Sequence, residues 1–290
     1  MKPRNKIEPW LFVIPALVIY LGIVVLPVAW SIVYSTFNWN GITSMKFVGL
    51  GNFERMFNDR VFHITIKNSL IFMSGTVIYQ MIIGLALAIL VTSVPRGSVF
   101  FRIVFYTPCI VSSVAMCKIF EKLLSVYPQG IFAAIMKMLG LPQIALLSDP
   151  NTALYTTIFI DGYMYVGIYM VIFYNALTNI SQDVIEAAYL DGCGWSKQLF
   201  YIKLPLIVPI MFSSLVLLVN GALKAFGVSY ILTGGGPGYA TELVATYMYK
   251  TAFEASNFGY ASALGLFLLV ESMIAVTTLR AISRRIDIYS

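Results

Sequence analysis

Charge is what this chain has least of. Only 11% of its 290 residues are Asp, Glu, Lys or Arg, against roughly 25% in a soluble domain. That excludes an ordinary water-borne globule. Histidine occurs once, at His63, so no imidazole cluster can hold a metal or build a His-based catalytic pair. His63 reads as a loop residue. Cysteine occurs three times, an odd number with no CxxC spacing. Cys109 and Cys117 fall in an apolar run and Cys193 in a polar one, and all three read as structural or incidental. The run GGGPG at 234–238 lacks the Lys-Ser/Thr that closes a phosphate loop. It reads as a turn between a span and a surface helix, and the chain is expected to bind no nucleotide, metal or other cofactor. No carboxylates pair at a working spacing, which argues against a membrane-embedded enzyme. The net charge of +6 is spread out. It forms no nucleic-acid patch and carries topology information instead.

What is abundant is apolar sequence. Hydrophobic residues make up 59% and the mean hydropathy is +0.83. After Lys2, Arg4 and Lys6, an apolar run extends from about residue 10 to 36. It is too long for the core of a signal peptide and long enough to span a bilayer. Further runs lie near 69–93, 100–120, 154–178, 206–229 and 260–280. The third is the weakest, because Lys118, Glu121 and Lys122 crowd its end. Continuous runs in lipid must be helices, so the expectation is an all-α integral membrane protein with six transmembrane helices. Even span number puts both termini on one side. That side carries Lys2, Arg4, Lys6, Arg96, Arg102, Lys197, Lys203, Arg280, Arg284 and Arg285. The other side carries Lys46, Arg55, Arg60, Lys67, Lys118, Lys122, Lys137 and Lys250 over a longer stretch of chain. The density favours cytoplasmic termini. On the outer side, residues 131–141 suit a short interfacial helix.

One polar stretch interrupts this pattern: EAAYLDGCGWSKQLFYIKLP, residues 186–205. Ser181 is suited to cap a helix, and Asp183 sits well in its first turn. Val184, Ala187, Ala188 and Leu190 give an apolar side. Gly192 is a natural helix stop, a second short helix over about 195–202 can follow, and Pro205 suits the start of the next span. Residue chemistry leaves two readings open: a tie between spans, or a docking surface on the cytoplasmic side.

The spacing is more specific. Glu186-Ala187-Ala188, Gly192, Ile202, Leu204 and Pro205 fill every position of E-A-A-x(3)-G-x(9)-I-x-L-P. This resembles the EAA loop of permease subunits in binding-protein-dependent ABC importers. VLPVAWSIVYSTFNWNG at 25–41, FVGLGNFERMF at 47–57 and ILTGGGPGYATELVATYMYKTAFE at 231–254 resemble the maltose and glycerol-3-phosphate type of these permeases. Cys193 departs from the small residue, often alanine, common there, but is itself small. The resemblance implies a type I importer permease fold and a non-catalytic transport subunit. It implies a second, related permease, two cytoplasmic ATPase subunits that use ATP, and an extracytoplasmic binding protein delivering a sugar or sugar derivative. It also implies that Glu186, Ala187, Ala188, Asp191, Gly192, Ile202, Leu204 and Pro205 couple this chain to an ATPase.

Charged groups within spans default to functional candidates because insertion costs roughly 2.5–3.5 kcal/mol each. Asp161, Tyr165 and Tyr169 share one helix face at i, i+4 and i+8. Asn220 and Lys224 share another, as do Thr76 and Gln80, and Glu271 lies mid-way along the last run. These residues can line a solute path, or they can snorkel to an interface and hold helices together. A secondary transporter for a small polar solute is the alternative function. The absence of a repeat and the presence of the EAA spacing weigh against it. By organisation, residues 1–65 would hold the tail, first span and outer loop. Residues 66–281 would form the permease core, with the coupling loop at about 179–205, and 282–290 a cytoplasmic tail.

Overall fold

A computed structural model describes residues 8–94 and 96–287. Lys2, Arg4, Lys6, the side chains of Arg284 and Arg285, and the end of the 282–290 tail lie outside the described residues. Nearly everything described is helix. Among the described residues, five helices are long and apolar enough to cross a membrane: Phe12–Ser35, Arg60–Thr92, Ala153–Thr178, Trp195–Leu223 and Phe258–Ser283.

The third apolar run differs from expectation. It forms two helices, Ser98–Ile110 and Ser113–Leu124, bent by 94°, and completes a sixth span only if the pair is counted as one. Val111 and Ser112 between them are extended, with ψ of 141° and 129°. A helix cannot carry its hydrogen-bond ladder through such residues.

The chain divides into two compact units. One reaches Phe62 and takes in Tyr247–Leu269. The other holds His63–Thr246 and continues from Val270.

In the first unit, the described part of the first span contains a wide turn, Leu21–Val25, closed by the N–H of Leu26 onto Leu21 O. Pro27 follows and explains it. Proline has no N–H to give the carbonyl four residues back, and its ring crowds that carbonyl. A two-residue antiparallel ribbon pairs Phe37 with Phe47 and Asn38 with Lys46. The helix Gly51–Asn58 lies nearby, where the buried Asn52 donates to Ser35 O at 2.8 Å and Phe37 O at 2.9 Å.

Asp59 is the polar hub of this unit. Its Oδ1 accepts from the N–H of Val61 at 2.8 Å, starting the helix Arg60–Thr92. His63 is therefore a helical residue and not the expected loop residue, because the cap at Asp59 carries the helix well before the apolar run. Asp59 Oδ2 accepts from the Tyr247 hydroxyl at 2.5 Å and the Tyr260 hydroxyl at 2.7 Å. The Arg55 guanidinium stands 4.3 Å over the Tyr260 ring. Burial disfavours the charge on Asp59, yet these hydroxyls and the backbone N–H groups of Val61 and Phe62 hold its carboxyl below the ordinary value of 3.8.

The second unit is a helical packing built on Ala153–Thr178. One side buries Met170, Phe173, Ala176 and Leu177 with Ala88, Val91 and Ile207. Another joins Ile160 and Met164 to Met116, Cys117, Val228 and Leu232. Small residues allow close approach. A Cβ at Gly162 would strike the Tyr79 ring, and one at Gly167 would collide with the carbonyl of Phe105. The short helix expected on the outer side spans Ile131–Met138.

The glycine run folds as a turn. Gly234, at φ 58°, ends the helix Gly227–Thr233. Thr241 Oγ1 donates to Gly236 O at 2.8 Å, and Asn68 Nδ2 donates to Tyr239 O at 2.8 Å and Glu242 O at 3.1 Å.

Candidate functional site

Two features could work. The first is the polar stretch. A helix, Gln182–Leu190, begins after Ser181, which occupies the capping position but makes no side-chain cap bond. The expected cap is thus present in position only. The helix end follows the sequence closely. Gly192 has φ 75°, its N–H reaches Tyr189 O at 3.0 Å, and the N–H of Cys193 reaches Ala188 O at 2.9 Å. This crossed pair of bonds is the Schellman stop that a left-handed glycine permits.

The apolar side of this helix is not turned inward. Ala188 is buried, but Ala187 and Glu186 are exposed. Tyr189 is 75% and Leu190 86% exposed. Gln182, Ile185, Glu186, Tyr189, Leu190 and Gln198 line a hollow of about 410 Å³. Among these, the buried Gln198 is held by its Nε2, which donates to Cys193 O at 3.0 Å.

The second helix of the stretch does not stop before the span. Trp195–Gln198 passes through a wide turn, Leu199–Lys203, directly into Leu204–Leu223. The N–H of Leu204 closes that turn on Leu199 O, and Pro205 follows. This repeats the Leu26–Pro27 arrangement for the same reason. Of the signature residues, Asp191 and Pro205 are exposed and Ile202 and Leu204 half-buried.

The second feature is a cavity of about 300 Å³ in the second unit. Thr76 and Gln80 from one helix, and Asp161, Tyr165 and Tyr169 from another, all line it. Gln80 Nε2 donates to Asp161 Oδ2 at 3.1 Å. Thr76 Oγ1 is turned back onto Phe72 O at 2.8 Å, which satisfies its hydroxyl within its own helix. Ser113 and Phe226, which sequence reasoning does not select, complete the wall. The break at 111–112 starts a helix at Ser113, and the end of Leu204–Leu223 leads to Phe226. Neither break is visible as a periodicity.

The other polar candidates lie elsewhere. Asn220 is half-buried and Lys224 exposed at the C-terminal cap of its helix, and neither lines the cavity. Glu271 is half-buried, away from the cavity lining, with Oε2 buried and without a hydrogen-bond partner. Asp161 and Asn220 are thus not brought to one wall, because Leu218, Gly221 and Ala222 are the residues that their helix presents there.

Over residues 80–288 the chain matches the family described as binding-protein-dependent transport system inner membrane component. It belongs to that family. The permease YurN of Bacillus subtilis (strain 168), a probable ABC transporter permease protein, is 34% identical over 276 residues, spanning 93% of this chain and 94% of its own. The multiple sugar-binding transport system permease protein MsmF of Streptococcus mutans is 29% identical over 273 residues, spanning 93% and 92%. A bacterial alginate ABC transporter, solved with a pentasaccharide-bound periplasmic protein, contains a chain of the same fold. Its TM-score is 0.87 at 21% identity, covering 96% of this permease and 94% of that chain. This permease is accordingly a multi-pass component of the cell membrane that serves an ABC importer. It moves solute and catalyses no reaction of its own.

Proposed function

We propose that this permease, paired with a second related permease, passes a sugar or sugar derivative through the membrane. A binding protein delivers the solute from outside, and two cytoplasmic ATPase subunits drive the cycle with ATP. The multiple-sugar system that MsmF serves supports the solute class. The observation that carries the coupling reading is the edge Glu186–Tyr189–Leu190. It is exposed, apolar beyond its one charge, and ended by a glycine stop a few residues before the helix that runs on as Trp195–Leu223. A partner that grips this edge can move the span Trp195–Leu223. Glu186, Ala187, Asp191 and Gly192 form the gripped side of this coupling element, the buried Ala188 seats its helix, and Ile202, Leu204 and Pro205 join it to the span. The wall of Thr76, Gln80, Asp161, Tyr165 and Tyr169 offers donors, acceptors and aromatic faces, which hydroxylated solutes need.

The test is reconstitution. With its partners in vesicles, the permease should support ATP-dependent sugar uptake, and alone it should support none. Glu186→Lys should leave insertion intact while abolishing ATPase association and uptake. Uptake that survives this change removes the coupling role of the loop. Uptake by the lone chain without ATP removes the importer reading.

A further inference from the structure

We infer that the Asp161 cavity is a charge filter, which admits neutral hydroxylated solutes and rejects anionic ones such as uronates and sugar phosphates. This rests on the cavity being part of the proposed sugar path. Among the described residues lining it, Asp161 alone bears a carboxyl group. The rest of the wall is hydroxyl, amide, aromatic and aliphatic. No lysine or arginine contributes, and Lys224, the cation nearest in sequence to the lining residues of its helix, is exposed at the helix end and outside the lining.

The amide of Gln80 donates to Oδ2 of Asp161, an arrangement that suits a carboxylate, which only accepts. One amide does not cancel the negative charge of the ionised carboxyl. The cavity of about 300 Å³ would hold a second anion close to that carboxyl. Two like charges a few ångströms apart in such a setting repel strongly. A neutral sugar meets the opposite situation, because its hydroxyls donate to the carboxylate and its apolar face can lie on Tyr165, Tyr169 or Phe226. Rejection by a misplaced charge is a common way to make a site selective. The alginate importer chain, described as taking an acidic polysaccharide, shares the fold. The fold itself therefore does not exclude an anionic solute, which leaves that selection open to individual residues such as Asp161.

The test reads the field in the cavity without needing the solute. In the full chain, co-expressed with its partners in membranes, Cys109, Cys117 and Cys193 are each replaced by alanine, and Ser113→Cys supplies a reporter in the wall. Rates of modification by a cationic and an anionic methanethiosulfonate of equal size are measured, each divided by its rate with mercaptoethanol. The ratio cancels any change in thiolate fraction, which both reagents share. The cationic reagent should react faster by at least about tenfold, since unit charges at this range are worth that factor or more. Asp161→Asn should bring the ratio near one, and Asp161→Glu should keep it. A ratio near one with Asp161 present, a ratio untouched by Asp161→Asn, or a thiol that neither reagent reaches overturns the inference. If the ratio vanishes while sugar uptake persists, only the charge filter fails. If the ratio stands while the reconstituted complex moves no sugar, only the sugar reading fails.

Discussion

Asp59 ties together distant parts of its unit. It caps a membrane helix with one oxygen and receives two tyrosine hydroxyls with the other. Because its carboxyl titrates below 3.8 when folded, it binds fewer protons folded than unfolded. The stability it adds is present above about pH 4 and is lost as pH falls through the lowered value. Melting of the detergent-solubilised permease should therefore show a drop in midpoint below pH 4 that Asp59→Asn weakens. Asp59→Ala should cost about 1–3 kcal/mol at neutral pH, since it strands the hydroxyl of the fully buried Tyr260. An unchanged midpoint in Asp59→Ala would remove this hub role. Sequence reasoning passes over Asp59 because its partners lie at positions 247 and 260, and nothing local announces such a meeting. Asp161 is the opposite case. A carboxylate inside an apolar run stands out by itself, and its i+4 and i+8 tyrosines share a face in any helix.

At the scale of elements, the spans are legible because lipid requires about twenty apolar residues in a row, and that demand is written directly in composition. What composition does not write is a break. The third run is apolar on both sides of Val111 and Ser112, so its 94° bend leaves no trace in hydropathy. The start of Arg60–Thr92 escapes for a related reason. Arg60, His63 and Lys67 are polar, yet a cap and a helix-compatible sequence extend the helix beyond the apolar part. The glycine stop at Gly192 is legible, because few other residues accept φ near 75°. Crossings are set by residues too small to notice. Gly167 lets Ser98–Ile110 lie against Ala153–Thr178, with the Phe105 carbonyl where a Cβ would be. Gly167→Val should force those helices apart and lower the melting midpoint sharply, with a loss of several kcal/mol from overpacking and exposed core together. Gly221→Ala serves as control, since a Cβ there meets nothing within 4 Å and should change little. Equal melting of the two variants would refute the crossing.

For the whole molecule, family membership fixes a role that no single cavity could reveal. A permease is read through what drives it, and the loop at 186–205 is where that drive would enter. The wide turn at Leu199–Lys203 lies within this stretch, between Trp195–Gln198 and Leu204–Leu223. Because residue 205 is proline, the carbonyl of Tyr201 has no helical donor to lose. Flexing the helix at this level breaks one backbone bond fewer than flexing it a turn higher or lower. In the proposed coupling, the rod between drive and pathway would contain its own joint. Small jostling at the cytoplasmic end should be absorbed there as angle, and only a sustained, directed pull should travel on into the membrane as displacement. A transporter built this way would tolerate a noisy motor without leaking.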